Sequence, residues 1–247
     1  MTSDTTPTEQ AASSAEKLRT LVSRAEHVLF DFDGPICRLF AGHLADEVAD
    51  RLVAWLEKRG QHVLLTDEDR LSGDPHAVLL AVDRLHPGSD LVEALEELLT
   101  GEELQATDTA WPTPHVDPLI RTWLATGARL AIATNNSPRV VERYLTGRGL
   151  RECFGTHIHG RSTQLHLLKP DPDCLNRALE SLRAHPATSL MIGDTPSDLQ
   201  AAQQAGVPFL GYARDDERAK RLYDAGAESV VDSLQPILDI VRTGGRA

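Results

Sequence analysis

HVLFDFDGPI, residues 27–36, runs from an apolar and aromatic segment straight into two carboxylates one residue apart, Asp31 and Asp33. Apolar residues over His27 to Phe30 read as a short buried strand, yet two like charges at its end repel in any low-dielectric setting. Further short apolar runs follow: RLAIAT at 129–134, THIHG at 156–160, SLMIGD at 189–194, PFLGYA at 208–213 and ESVV at 228–231. They alternate with amphipathic segments, which indicates βα units and a parallel sheet. The expected fold class is α/β, with a doubly wound, Rossmann-like parallel sheet. Ser137-Pro138, Asp171-Pro172 and Thr195-Pro196 supply a capping side chain followed by Pro at the first helical position.

One interval breaks this rhythm. Between about Cys37 and Trp111 only helical periodicity is legible, in LFAGHLADEVADRLVAWLEKRG, DPHAVLLAVDRLH and SDLVEALEELL. It reads as a helical domain inserted after the first strand, with Pro112 and Pro114 marking the return. The expected organisation is a mobile polar tail over 1–14, a core over 15–36 and 115–247 beginning with a helix near Ala15 to Ala25, and an insert over 37–114.

The 247 residues suffice for one large α/β domain with such an insert. Lys and Arg number 25 against 37 Asp and Glu, a net charge of −12 with no basic block, so a nucleic-acid partner is not expected. Cys37, Cys153 and Cys174 form no CxxC pair and no even set, which argues against zinc or a disulfide framework and fits a reducing cytoplasm. MTSDTTPTEQAASS does not read as a signal peptide, and no apolar run has membrane-spanning length. No Gly-Lys dipeptide, GxGxxG or HExxH occurs, which removes a Walker A loop, a dinucleotide fingerprint and a zincin site. Oligomeric state is left open.

In an open parallel sheet, ligands bind beyond the carboxyl ends of the strands. Here the apolar runs end on Asp31 and Asp33, on Thr134 and Asn135, and on Asp194, with Asp198 four residues on; Lys169 in LLKPDPD precedes a helix start. Mg²⁺ among the carboxylates would offset their repulsion, since it takes a few carboxylates together with waters and phosphate oxygens. A carboxylate can also attack phosphorus, and cations then hold the transferred charge. Taken singly the residues have plainer readings: Asp33-Gly34 as a hairpin turn, Ser137 as a helix cap, Asp198 as a first-turn acid favoured by the helix dipole.

FDFDGPI, IATNN, LLKPDPD and IGDTPSDLQAAQQAG together resemble, in order, the four motifs of the haloacid dehalogenase-like hydrolase superfamily. The helical insert resembles that superfamily's α-helical, C1-type cap. The resemblance implies a phosphatase using Mg²⁺ on a small phosphorylated metabolite through an aspartyl-phosphate intermediate. It makes Asp31 the nucleophile and a metal ligand, and Asp33 the general acid/base that also binds the metal through its backbone carbonyl. Thr134, with Asn135 on the substrate side, and Lys169 hold the phosphoryl group, Asp194 ligates the metal, and Asp198 supports it or its waters. Pro35 stands where the family usually has Thr or Val, which removes one N–H donor from the nucleophile loop. A dehalogenase has no second Asp at the position of Asp33. A phosphonatase requires a cap lysine, for which Lys58 is the one lysine of the insert. A phosphomutase shares every motif, and a non-catalytic metabolite binder of the same fold is the reading from another class. Specificity is expected in the cap, where Arg38, His43 and Arg51 are candidate substrate contacts.

Overall fold

The computed structural model describes residues 7–244. Helix α1 (Pro7–Arg24) leads into β1 (His27–Phe30) and β2 (Cys37–Arg38), followed by α2 (Ala45–Lys58), α3 (Asp67–Leu71), α4 (Pro75–Leu85), α5 (Asp90–Ala106) and β3 (Trp111–Pro112). From there helices and strands alternate through α6 (Val116–Ala125), β4 (Arg129–Ala133), α7 (Pro138–Gly147), α8 (Arg151–Phe154) and β5 (Ile158–His159). The last elements are α9 (Asp173–Leu182), β6 (Ser189–Gly193), α10 (Pro196–Ala205), β7 (Phe209–Tyr212), α11 (Asp216–Asp224), β8 (Val230–Val231) and α12 (Gln235–Gly244).

Six strands pair in parallel in the order β5-β4-β1-β6-β7-β8. The chain builds outward from β1 on one side, then returns to build on the other, so the winding reverses at β1. A crevice opens at that point, beyond the carboxyl ends of β1, β4 and β6. Successive residues of these strands serve opposite faces because side chains alternate across a strand. Val28, Phe30, Ile132 and Ile192 join one apolar cluster with Ile120 and Trp123 of α6, Val140 of α7 and Leu238 of α12. Leu29, Ala131 and Met191 join another with Leu175 and Ala178 of α9 and Ala202 of α10. Covered on both faces, the sheet is the doubly wound α/β fold.

The segment between β2 and β3 is helical and buries its own apolar cluster, including Leu52 and Leu56 of α2, Val78 and Val82 of α4, and Leu95 and Leu99 of α5, joined by Leu165 and Leu168. Three features differ from the sequence expectation. A two-residue antiparallel pairing, Cys37 with Pro112 and Arg38 with Trp111, closes the two crossings into this segment; so short a ribbon carries no periodicity to read. Helix α1 begins at Pro7, inside the tail expected over 1–14, and residues 1–6 of that tail lie outside the described residues. Helix α9 begins at Asp173 rather than at Pro172, with Asp171 Oδ1 accepting from the Asp173 N–H at 2.9 Å. Asp74 and Thr195 cap as their sequences suggest, Thr195 through a reciprocal capping box with Asp198.

Phe30 anchors one face of the sheet, fully buried and edge-on to Trp123 and Phe154 at centroid distances of 5.8 and 6.3 Å. Phe30→Ala should therefore lower stability by about 3–5 kcal/mol, read as a fall in the urea midpoint at unchanged slope. A midpoint like that of the unmutated chain would show that the sheet does not depend on this contact.

Candidate active site

Asp31, Thr134 and Asp194 each stand one residue beyond the end of a central strand, β1, β4 and β6. The Asp31 N–H donates to Ile192 O at 2.9 Å, which fixes the start of the first loop against β6. That loop turns tightly at Gly34, whose φ of 119° lies where side chains are strained. A Cβ there would also fall 2.4 Å from Asp194 Cγ, so only glycine lets the two loops approach. The turn closes through N–H groups on either side of Pro35: Gly34 to Cys37 O at 2.6 Å, and Ile36 and Cys37 to Phe32 O at 3.2 Å each. Asp33 Oδ1 accepts from the Leu39 N–H at 2.8 Å, just past β2.

Lys169 reaches the same point from the loop before α9. Its Nζ donates to Asp31 Oδ1 at 2.7 Å, to Ala133 O at 3.1 Å and to Asp198 Oδ1. Burial alone would favour a neutral lysine, but Asp198 and Asp31 outweigh it and raise the pKa, so the ammonium persists. The Asn135 amide grips the Lys169 backbone from both sides, accepting from its N–H at 2.8 Å and donating to its C=O at 3.2 Å. Asn135 borders the cavity over these residues, and its side-chain bonds are spent on the Lys169 backbone. The Thr134 hydroxyl is buried, donating to Asn136 Oδ1 at 3.1 Å and accepting from the Asn136 N–H at 3.3 Å.

The carboxylates are electrostatically crowded. Burial, then Asp198, Asp31 and Asp33, push the Asp194 pKa well above the ordinary carboxylate range against the opposing pull of Arg218. Burial likewise raises Asp31, with Lys169 opposing and Asp198 adding to the shift. Asp33 is pushed up to about 6, chiefly by burial, with the Leu39 N–H opposing and Asp31 adding. That range suits a group that must give a proton and take one back. Asp198 Oδ2 accepts from the Asp194 and Thr195 N–H groups at 3.1 and 2.9 Å and from the Thr195 hydroxyl at 2.7 Å, so Asp198 is a capping residue and a partner of Lys169 together.

These residues fit a divalent cation. Asp31, Asp194 and Asp198 each offer an oxygen, all within 4.8 Å of one another. Asp194 Oδ1 is buried with no hydrogen-bond partner, a costly state for a carboxylate oxygen unless a cation takes it. An all-oxygen donor set of carboxylates selects Mg²⁺ or a similar hard ion.

A cavity of about 460 Å³ lies over this centre. Its far wall comes from the helical segment: Phe40, Ala45, Pro75, Ala77 and Leu80, with Asp74 and His76 as polar groups among them. The candidate contacts Arg38, His43 and Arg51 are not on that wall. Arg38 stacks on Trp111 at 5.3 Å, and His43 and Arg51 both bond Glu102 Oε2, at 2.7 and 2.9 Å. Lys58 is exposed at the end of α2 and does not border the cavity, which leaves the phosphonatase reading without its lysine. Arg218 was not legible in the sequence. It donates to Asp194 Oδ2 at 3.1 Å from α11, a helix so charged that nothing marks one arginine among its neighbours. Ser137 makes no side-chain cap bond; its N–H donates to Glu103 Oε2 at 3.3 Å.

A family model for haloacid dehalogenase-like hydrolases matches residues 25–206. The chain is 27% identical over 236 residues to phosphoglycolate phosphatase of Vibrio vulnificus, covering 87% of this chain and 95% of that one. It is 35% identical over 130 residues to phosphoglycolate phosphatase of Rhodospirillum rubrum, where the match spans 51% of each chain. Among solved structures, CbbY from Rhodobacter sphaeroides in complex with phosphate superposes with a TM-score of 0.60 at 22% identity, over 85% of this chain and 94% of that one. The matched segment contains Asp31, Asp33, Thr134, Lys169, Asp194 and Asp198, and the chain belongs to the haloacid dehalogenase-like hydrolase family.

Proposed function

We propose that the protein is a Mg²⁺-dependent phosphatase that hydrolyses a small phosphorylated metabolite through an aspartyl-phosphate on Asp31, with residues 37–114 acting as its cap. One observation carries the reading: a buried carboxylate held 2.7 Å from a lysine ammonium, facing a second carboxylate whose inner oxygen has no partner. Asp31 supplies the attacking oxygen, forming a P–O bond as the leaving oxygen departs. Lys169 offsets negative charge on the transferred oxygens, and the Thr134 hydroxyl turns from Asn136 to donate to one of them. Asp33 gives its proton to the leaving oxygen, then takes one from the water that attacks the aspartyl-phosphate. Bound to Asp31, Asp194 and Asp198, Mg²⁺ would neutralise the carboxylate cluster and the transferred charge.

The cap wall, apolar apart from Asp74 and His76, and the cavity volume suit a compact leaving group. Phosphoglycolate heads the substrates to test, because it names the activity of relatives similar to this chain. The free cysteines, with Cys37 and Cys174 buried, suit work in the reducing cytoplasm.

Asp194→Asn removes a negative ligand, so calorimetric titration with Mg²⁺ should show affinity weakened about tenfold or more, with inorganic phosphate affinity changed less. An unmoved Mg²⁺ titration would remove Asp194 from the metal site. Separating the two steps tests the aspartates. On an aryl phosphate, whose leaving group needs little help, Asp33→Asn should release about one aryl alcohol per site in a burst and then stall. Acid-quenched mass spectrometry should then find phosphate on the peptide containing Asp31, and Asp31→Asn should give no burst. Steady turnover by both variants would defeat the assignment.

A further inference from the structure

The cap and the core meet through a buried ion pair that the reaction as described leaves unused. Glu103 on α5 and Arg161, in the loop after β5, both have side chains with 0% exposure. The guanidinium grips the carboxylate with two hydrogen bonds, Nη1 to Oε1 at 2.9 Å and Nη2 to Oε2 at 3.0 Å. Its remaining donors are also engaged, Nε with Glu96 Oε1 at 2.9 Å and Nη2 with Thr100 Oγ1 at 2.8 Å, both on α5. Arg161 Nη1 also contacts His76 Nε2 on α4 at 3.1 Å and donates to Asn135 O at 3.0 Å, so the pair joins two cap helices to the core loops after β4 and β5. Although burial alone would raise its pKa, the Arg161 charge more than offsets this and holds the Glu103 carboxyl well below its usual range, so it is ionised.

The same carboxylate extends to the catalytic loop. Glu103 Oε1 accepts from Asn136 Nδ2 at 3.0 Å, and Oε2 from the Ser137 N–H at 3.3 Å. With its amide nitrogen held by Glu103, Asn136 must present its carbonyl oxygen the other way, where it receives the Thr134 hydroxyl. The Asn136 N–H, on the same short loop, donates to the Thr134 oxygen. Two bonds from the cap thus reach the loop beside Thr134, which the core holds from its own side through the Arg161 N–H to Asn136 O and Arg161 Nη1 to Asn135 O, each at 3.0 Å.

We infer that Glu103 is a positioning residue that couples cap seating to catalysis: paired with Arg161, it orients Asn136 and the 134–137 loop, so that only with the cap closed does the Asn136 N–H hold the Thr134 oxygen where its single O–H can turn from Asn136 Oδ1 to the phosphoryl group. The inference rests on the proposed role of Thr134. A buried ion pair suits such a latch. Its mutual attraction roughly balances the water each charge gives up, so an opening cap loses little when both ends rehydrate together. While closed, however, the pair tolerates one register only, because either charge left alone in the interface would be strongly unfavourable.

The test is a pair of double-mutant cycles on the full-length protein, read as kcat for para-nitrophenyl phosphate with Mg²⁺. Glu103→Gln and Asn136→Ala should each lower kcat by about 10–100-fold, the scale on which misplaced catalytic groups act. The second spares the ion pair and should leave the melting temperature within a few degrees, so it decides the matter if Glu103→Gln does not fold. Combined with Thr134→Ala, each should add little to the loss Thr134→Ala causes alone. A structural role would lower the melting temperature and leave kcat of the folded fraction intact. Unchanged kcat in Asn136→Ala, or losses that multiply independently with Thr134→Ala, would overturn the inference while leaving the role of Thr134 standing. Full kcat in Thr134→Ala would overturn both.

Discussion

The 2.7 Å contact between Lys169 Nζ and Asp31 is the interaction around which the carboxylate cluster is arranged. Asp31, Asp33, Asp194 and Asp198 converge beyond the central strands, and Asp198, Asp31 and Asp33 all raise the cost of ionising Asp194. One ammonium, itself held by Ala133 O and by Asn135 through the Lys169 backbone, supplies buried positive charge beside Asp31. The inner oxygen of Asp194 stays unsatisfied even so, and the charge count of the cluster calls for a divalent cation.

Geometry around this centre follows from the same crowding. The loops after β1 and β6 approach until a Cβ at position 34 would overlap Asp194, and the turn from β6 into α10 folds back until a Cβ at position 193 would lie 2.4 Å from Asp198 Cβ. Glycine stands at both places. The Asp33 carboxylate is steadied by the Leu39 N–H, at the very crossing where the chain leaves for the cap. Asp33 and the crossing into the helical segment thus share residues 33–39, while Glu103 of that segment, paired with Arg161, bonds Asn136 beside Thr134.

Electrostatics and packing divide the labour in the cap. Its own helices cohere through leucines and valines at helical spacing, a pattern that needs no partner outside the segment apart from Leu165 and Leu168. Its attachment to the core is mixed: Leu165 and Leu168 pack into the helical cluster and Ala106 of α5 into the sheet cluster, beside the buried charged pair of Glu103 and Arg161.

Local order was legible because local physics determines it. Alternating apolar runs and amphipathic segments encode a parallel sheet covered on both faces, and Asp, Thr and Asp at the ends of such runs must fall on one edge. Asp31, Thr134, Lys169, Asp194 and Asp198 were all recognisable from the run or motif in which each sits. What lay beyond the sequence was decided by partners distant along the chain. Asn135 points at a lysine 34 residues away, Arg218 finds Asp194 across 24 residues, and Glu103 meets Arg161 across 58. Arg38, His43 and Arg51 looked equally suited to meet a substrate, yet Trp111 and Glu102 engage them outside the cavity. A charged side chain in a helix carries no periodic signal of the partner it will meet. The sequence by itself determined the sheet, the site edge and the chemistry of the groups placed there; only the tertiary structure decided which charges pair, because pairing depends on distances that folding creates.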